Sequence, residues 1–178
     1  MSKIEVNELA ARSGSNISMT AGHTIKPNLH SQTVFPTGHV LQTLHSESTS
    51  EVSSTSTSYA DTGFNLSITP SSTGSKVLIY FEFGNYFFGS NASAELGSAY
   101  KLVRDSTDIK AFEDANGYTL KDERSASNYW NVVRVGLTHF DSPSTTSAVN
   151  YKLQFARKIG GTLTIKGVTK IILQEIAG

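Results

Sequence analysis

Cysteine is absent from this 178-residue sequence. A disulfide framework, a cysteine nucleophile and a thiolate metal site are therefore all excluded. An excess of charge of either sign is also missing, since Lys plus Arg and Asp plus Glu each total 15. A neutral chain offers no electrostatic footprint for nucleic acid or for an anionic membrane surface, so neither is expected as a partner.

Long apolar runs are missing as well. No segment approaches the ~18–20 consecutive apolar residues of a membrane span. The first residues, Met1-Ser-Lys-Ile-Glu-Val, lack the apolar core of a signal peptide. We expect no membrane insertion and no secretion by the classical route.

Hydroxyl side chains are what the sequence has in excess. It contains 25 serines and 19 threonines, whereas charged residues make up only 17% of the chain. This composition favours extended strands joined by many turns over helices. We therefore expect an all-β protein.

Alternating apolar residues mark the strands. They predict a half-buried strand over 64–68, a buried strand over 76–83 and core strands over 130–140 and 151–155. The Ser/Thr run 46–58 is either a solvated linker or an edge strand, and we favour the strand. Gly160-Gly161, between two alternating runs, predicts a hairpin.

About eight strands without a convincing helix predict an antiparallel jelly-roll-like β-sandwich over residues 38–178, with an open barrel as the alternative. The stretch 84–99 combines aromatic residues with glycines and does not fit one clean strand. Residues 1–37 have too few apolar positions for a core of their own, so we expect an extended segment there.

Two strands carry apolar residues on both faces, which a small two-layer domain does not need. In the segments 76–83 and 171–176, one apolar set faces the core and the other requires a second cover. A closed homo-oligomer is the commonest way to supply it. The residues assigned to this subunit interface are Leu78, Tyr80, Ile172 and Ile176.

Several segments resemble a family of phage virion fibre proteins, especially those of marine and cyanobacterial phages. They are residues 2–7, 38–42, 67–79, 102–109, 141–147 and 172–176, in the family's order and spread over nearly the whole chain. The resemblance implies a homotrimer with a slender N-terminal segment fixed to the particle and a C-terminal sandwich head. It leaves open a place on the tail or on the capsid.

In a trimeric fibre of this kind, the few apolar residues of the N-terminal segment have two predicted roles. Ile4, Val6 and Leu9 are the predicted docking residues on other virion proteins. Ile17, Met19 and Ile25 form the predicted trimer stalk, since these apolar side chains are enough to hold three chains together by packing against each other.

Histidines and carboxylates offer weaker candidates for chemistry. The five histidines form no His-x-His or His-Glu-x-x-His arrangement, so ordinary turn and strand histidines are favoured and no cofactor is expected. His23 and His39 lie in two similar Gly-His turns, and either would form a ring of three around a trimer axis. They remain the candidates for an axial metal.

Carboxylate pairs occur at 105/108, 113/114 and 122/123, but all lie in predicted turns, where Asp caps the backbone. A glycan-cleaving enzyme needs two carboxylates held across a cleft. We expect no catalytic residues and no enzyme.

Aromatic rings beside amide side chains offer a better binding signal, because they present large contact areas at low entropic cost. The candidate receptor contacts are Tyr86, Phe88, Asn91, Asn116, Tyr118, Asn128 and Tyr129. Packing between the sandwich and neighbouring subunits is the alternative, and we favour it for Phe87 and Trp130.

Taken with the resemblance, these patterns predict a virion fibre protein that attaches to a glycan or protein on the host surface. The alternatives are a capsid-decorating or tail-adaptor protein without a receptor and, less favoured, a polysaccharide depolymerase.

Overall fold

The computed structural model describes residues 36–89, 96–122 and 129–178, and regular structure in these ranges is entirely β-strand. The strands are β1 (Val40–Ser48), β2 (Val52–Ser54), β3 (Ala60–Ile68), β4 (Lys76–Gly89), β5 (Leu96–Arg104), β6 (Thr107–Ala111), β7 (Leu120–Asp122), β8 (Tyr129–Asp141), β9 (Val149–Ile159) and β10 (Thr162–Ile176). The predicted all-β class is confirmed.

The strands form two antiparallel sheets. The first has the order β1, β10, β4, β8, and β2 pairs with the other half of β10. The second has the order β3, β9, β5, β6, and β7 also pairs with β5. Apart from the short strands β2 and β7, the eight strands follow the order of a jelly roll, which confirms the predicted sandwich.

Alternating side chains fill the space between the sheets. On β3, Phe64 and Ile68 are buried and Leu66 is partly buried, as the sequence predicts. Each fully buried apolar side chain contributes roughly 1.5–3 kcal/mol to the free energy of folding. The core residues of the longest inward faces are Val77, Ile79, Phe81, Phe83 and Phe87 on β4, and Tyr151, Leu153 and Phe155 on β9.

One polar contact joins the two sheets inside this core. The phenol of Tyr100 on β5 donates a hydrogen bond to Oδ1 of Asn85 on β4, and both side chains are fully buried. Burial raises the pKa of Tyr100, so the phenol remains a neutral donor. The Tyr100 ring also packs on Phe83, with ring centroids 4.8 Å apart.

The predicted hairpin at Gly160-Gly161 is wrong. The strand before it, β9, pairs with β3 and β5 in the second sheet, whereas β10 pairs with β1, β2 and β4 in the first. The two glycines, with φ of 56° and 46°, carry the chain from one sheet to the other. Alternation shows which face of a strand is buried, but it does not identify the neighbouring strand.

The stretch 84–99 is not one strand, as predicted, since it contains the end of β4 at Gly89 and the start of β5 at Leu96. Within it, Gly84 lets β10 approach β4 closely. A Cβ at Gly84 would lie 2.4 Å from the Lys166 carbonyl oxygen. In the Ser/Thr run, β1 continues to Ser48 and β2 occupies Val52–Ser54, so the favoured edge strand is present in part.

The sandwich has two distinct ends. At the end we call the base, Val40 pairs with Ile176, and the Gly38 amide donates to the Ala177 carbonyl over 2.8 Å. At the opposite end, the tip, Phe88 pairs with Thr162 and Gly97 with Ile159. From Lys76, which pairs with Ile176, to Phe88, which pairs with Thr162, β4 takes 12 residue steps. At about 3.3 Å per step the two ends are roughly 40 Å apart.

Candidate functional site

The outer face of the first sheet carries the residues predicted for a subunit interface. Paired residues of neighbouring strands point to the same side, so strand register defines the rows of this face. One row contains Gln174, Leu78 and Phe140, and the next contains His45, Ile172, Tyr80 and Thr138. Ile176 lies beside Lys76 at the base. All four predicted residues therefore share one face, and each is partly buried in the single chain.

Sequence reasoning missed two further apolar residues on this face. Phe140 is 58% exposed and Val132 is 53% exposed, both on β8. They alternate with Val133, Val135 and Leu137, which face the core, and that alternation was the available signal. We call Leu78, Tyr80, Phe140, Ile172 and Ile176 the apolar zone.

The outer face of the second sheet is different, because hydrogen bonds and ion pairs within the chain occupy its polar groups. Lys152 Nζ lies 3.0 Å from Asp61 Oδ2, and Gln154 Nε2 donates to Asp61 Oδ1 over 2.6 Å. Hydrogen bonds from Gln154 and Lys152 lower the pKa of Asp61. Asn150 Nδ2 donates to Ser67 Oγ over 2.9 Å. The exposed large apolar residues of the described ranges all lie on strands of the first sheet: Val40, Val132, Phe140 and Val168.

Charged residues cross the outer face of the first sheet at the tip side of the apolar zone. Glu47 on β1, Lys170 on β10 and Glu82 on β4 form one row, and Arg134 lies on β8 beside it. Lys170 Nζ is 3.7 Å from Glu47 Oε1. Arg134 donates to Glu82 and, over 3.1 Å, to the Val168 carbonyl. Hydrogen bonds from Arg134 and Tyr80 keep the pKa of Glu82 below its ordinary value.

The predicted receptor contacts that the structure describes lie towards the tip, on two different sheets. Tyr86 and Phe88 are half-buried on the outer face of β4. Tyr118 packs over Gly97 of β5, where a Cβ would lie 2.8 Å from its ring. Asn91 and Asn128 lie outside the described residues, as do the side chains of Tyr129 and Trp130. Phe87 is 1% exposed and belongs to the core between the two sheets, so it does not pack against a neighbouring subunit as predicted.

Asn116 belongs to a loop that an aspartate organises. The Asp114 carboxylate accepts hydrogen bonds from the amides of Asn116 and Tyr118, each over 2.9 Å. These backbone donors, Tyr118 first, lower the pKa of Asp114. The loop therefore holds Asn116 and Tyr118 in defined positions near the tip.

Carboxylates predicted in turns make structural bonds. Asp105 Oδ1 accepts the Asn150 amide over 2.9 Å, and Asp108 pairs with Lys101 over 2.8 Å. Glu113 accepts the Tyr59 hydroxyl and lies 3.2 Å from Lys158 Nζ. In the described ranges, no three His, Asp or Glu side chains form a group that could hold a metal ion. His39 lies in the base turn, and His23 is outside the described residues.

A cleft of about 220 Å³ opens between β1 and β3. Its lining is rich in hydroxyl groups, and Glu47 is the one carboxylate among the described residues that form it. Glycoside hydrolysis uses two carboxylates on either side of the scissile bond. This cleft does not present that pair.

A buried carboxylate at the base was missed by sequence reasoning. Glu175 is 0% exposed, and its oxygens accept four hydrogen bonds of 2.7 Å. The donors are the Gln42 amide, the Ser71 amide and hydroxyl, and the Ser75 hydroxyl. Burial alone would raise the pKa of Glu175, but the bonds from Ser71, Gln42 and Ser75 outweigh it and the pKa is lowered. This cluster ties the β3–β4 loop to β1 and β10.

A second polar cluster closes the base between the sheets. Asp141 at the end of β8 accepts hydrogen bonds from Arg104 over 2.6 Å and from the Tyr151 hydroxyl over 2.7 Å. Arg104 and Tyr151 belong to the second sheet. Both polar clusters therefore stiffen the end at which β1 begins.

Comparisons with known proteins add little to this geometry. No family model matches the chain, and no curated protein matches it. Among solved structures, T=1 particles derived from infectious bursal virus are similar at 13% identity and a TM-score of 0.37, over 78% of this chain and 37% of that one. The infectious bursal disease virus Gx strain is similar at 15% identity and a TM-score of 0.34, over 79% and 37% of the two chains.

A third similar structure is dimeric latent PorU from Porphyromonas gingivalis, at 10% identity and a TM-score of 0.35. That similarity covers 81% of this chain and 13% of the other. This chain thus spans 37% of each of the two viral chains and 13% of the PorU chain. Similarities at such TM-scores carry no argument about function, which must be argued from the chain's own surfaces.

Proposed function

We propose that this chain is a structural fibre protein of a virion, a homotrimer anchored through its N-terminal segment, with the tip directed at the host surface. The observation that carries the proposal is that the two ends of the sandwich differ. The described part of the chain begins at the base, where the Gly38 amide donates to the Ala177 carbonyl. The described candidate contacts Tyr86, Phe88 and Tyr118 lie towards the opposite end, roughly 33–40 Å away along β4.

This arrangement suits attachment because anchoring and recognition do not compete for the same surface. The buried cluster around Glu175 and the Arg104–Asp141 pair stiffen the base. The aromatic residues lie beyond the charged row, on β4 and in the loop before β7. A rigid scaffold that presents its binding residues at one end is a common arrangement for recognition.

The trimer is supported by the contrast between the two outer faces. The second sheet's outer polar groups are bonded within the chain, whereas the first sheet exposes Phe140 and partly exposes Leu78, Tyr80 and Ile172. Contiguous exposed apolar groups rimmed by polar residues mark interaction surfaces. In a homo-oligomer a second copy covers them.

Self-association provides a direct measurement. The full chain is expected to show a mass three times 19.2 kDa by light scattering at micromolar concentration. Ile172→Asp is expected to weaken this association at least tenfold, since it places a charge in the apolar zone. Ser67→Asp, on the outer face of the second sheet, is the matched control and should leave the mass unchanged. A monomeric wild-type chain would contradict the trimer.

Deleting residues 2–12 tests the anchor. The shortened chain is expected to remain folded and trimeric but to be lost from particles, because Ile4, Val6 and Leu9 are removed. Particle composition measured with an antibody against the sandwich gives the readout, and electron microscopy with the same antibody places the protein on tail or capsid. If the shortened chain were incorporated into particles at the wild-type level, the anchor would have to lie outside residues 2–12. Residues 40–44 at the base would be the next candidate.

Attachment is separated from the alternatives by two assays. Retention of the full chain on host cells in a pull-down is expected for a fibre with a receptor, and a tail adaptor or capsid-decorating protein would show none. New reducing ends after incubation with host polysaccharide would instead support a depolymerase. Among the described residues that line the β1–β3 cleft, Glu47 is the one carboxylate, whereas that activity uses two.

A further inference from the structure

The two side edges of the first sheet carry opposite charges on their outer face. β1 and β8 are the terminal strands of the sheet. Glu47 lies on β1 and Arg134 on β8, with Lys170 and Glu82 on the strands between them. The charges therefore alternate across the face, from negative at one edge to positive at the other.

The β8 edge also carries exposed apolar groups. Val132 and Phe140 are 53% and 58% exposed and point to the same side as Arg134. The sheet order ends at β8, which is 13 residues long. A long terminal strand with exposed apolar residues is a template for association with another chain.

We propose that β8 of one subunit contacts β1 of the next copy around a closed ring, so that Arg134 meets Glu47 of the partner subunit. This inference rests on the proposed homo-oligomer and names its contact. In a cyclic ring of three, each interface joins two different surfaces, which must complement each other. Edges of opposite charge on one face meet that requirement, and Phe140 is covered at the same contact.

The charges are accessible to such a partner. Side chains of Glu47 and Arg134 are 48% and 50% exposed while they bond to Lys170 and Glu82 within the chain. Complementary charges at an interface set the register and disfavour wrong pairings. At the proposed contact, the Glu47–Lys170 pair of one subunit and the Arg134–Glu82 pair of the next would join into one network of charges.

Charge reversal tests the contact in the full chain. Arg134→Glu alone and Glu47→Arg alone are each expected to raise the trimer dissociation constant by about tenfold at low salt. The double variant is expected to return to within about threefold of wild type. Lys152→Glu, a reversal on the outer face of the second sheet, is the control. It breaks the pair with Asp61 within the chain but should leave the trimer dissociation constant unchanged.

The outcomes separate the two proposals. A wild-type chain that is monomeric at all concentrations overturns the homo-oligomer itself. A stable trimer that ignores both single reversals, or a double variant that shows no recovery, overturns only the β8–β1 contact.

Cross-linking gives a second measurement if a reversal prevents folding. The sequence has no cysteine, so Glu47→Cys combined with Arg134→Cys introduces one defined pair. Within one chain the two positions are three strand spacings apart, about 14 Å. An Arg–Glu ion pair between subunits also holds its Cα atoms farther apart than the ~7 Å that a disulfide spans, so a short bismaleimide is used in place of oxidation. It is expected to give covalent trimers from the double variant and none from either single variant. Covalent dimers alone, or no cross-link, would overturn the ring.

Discussion

Glu175→Ala is expected to lower the free energy of unfolding by about 3 kcal/mol, because each hydrogen bond to a charged group contributes ~1.5–3 kcal/mol. Glu175 is fully buried and accepts four hydrogen bonds. Ser75 is 2% exposed, so its hydroxyl cannot turn to water without local opening. Urea unfolding at pH 7 measures the change.

Two variants sharpen this prediction. Glu175→Gln keeps the shape but places an amide opposite the Gln42 donor, so an intermediate loss of about 1–2 kcal/mol is expected. Asp108→Ala, at an exposed site on β6 of the second sheet, should change the free energy of unfolding by no more than about 0.5 kcal/mol. Equal effects for Glu175→Ala and Asp108→Ala would show that the buried cluster does not stabilise the base.

The same carboxylate makes stability depend on pH in a defined direction. The folded chain holds the pKa of Glu175 below its ordinary value, so the ionised form stabilises the fold. That contribution is complete above the unfolded pKa, about 4.3, and is lost as pH falls through the lower folded pKa. The stability difference between wild type and Glu175→Gln should therefore be constant near neutral pH and shrink below about pH 4.

Gly161→Ala is expected to cost about 3 kcal/mol or more, from a backbone clash added to an unfavourable φ. The residue has φ of 46°, and a Cβ there would lie 2.0 Å from the carbonyl oxygen of Phe88. Relief requires moving β4 or the crossover between the sheets. Thermal and urea unfolding provide the measurement.

Gly167 supplies the matched control for this substitution. It has φ of 82° but nothing within 4 Å of its Cβ position. Gly167→Ala should therefore cost only the left-handed backbone penalty, about 1–2 kcal/mol. Similar losses at the two glycines would mean that Gly161 is not sterically required and that the crossover is looser than its geometry indicates.

Much of the strand structure could be predicted from local pattern. Alternation marked the inward faces of β3, β4 and β9, as predicted over 64–68, 76–83 and 151–155. The apolar outward residues Leu78 and Ile172 were also readable from the alternation. Phe140 shows the same signal on β8, but its exposure depends on β8 being the terminal strand of the first sheet.

The all-β class, the faces of the strands and the apolar residues available for a core and a second contact could all be predicted from local pattern. The folded chain was needed to show that Gly160-Gly161 joins two sheets, that Glu175 meets Ser71 and Ser75 about a hundred residues earlier, and that Glu47 and Arg134 lie on opposite edges of the first sheet. A period of two follows from local backbone geometry, whereas strand neighbours and buried hydrogen bonds are contacts between distant residues that no local pattern encodes.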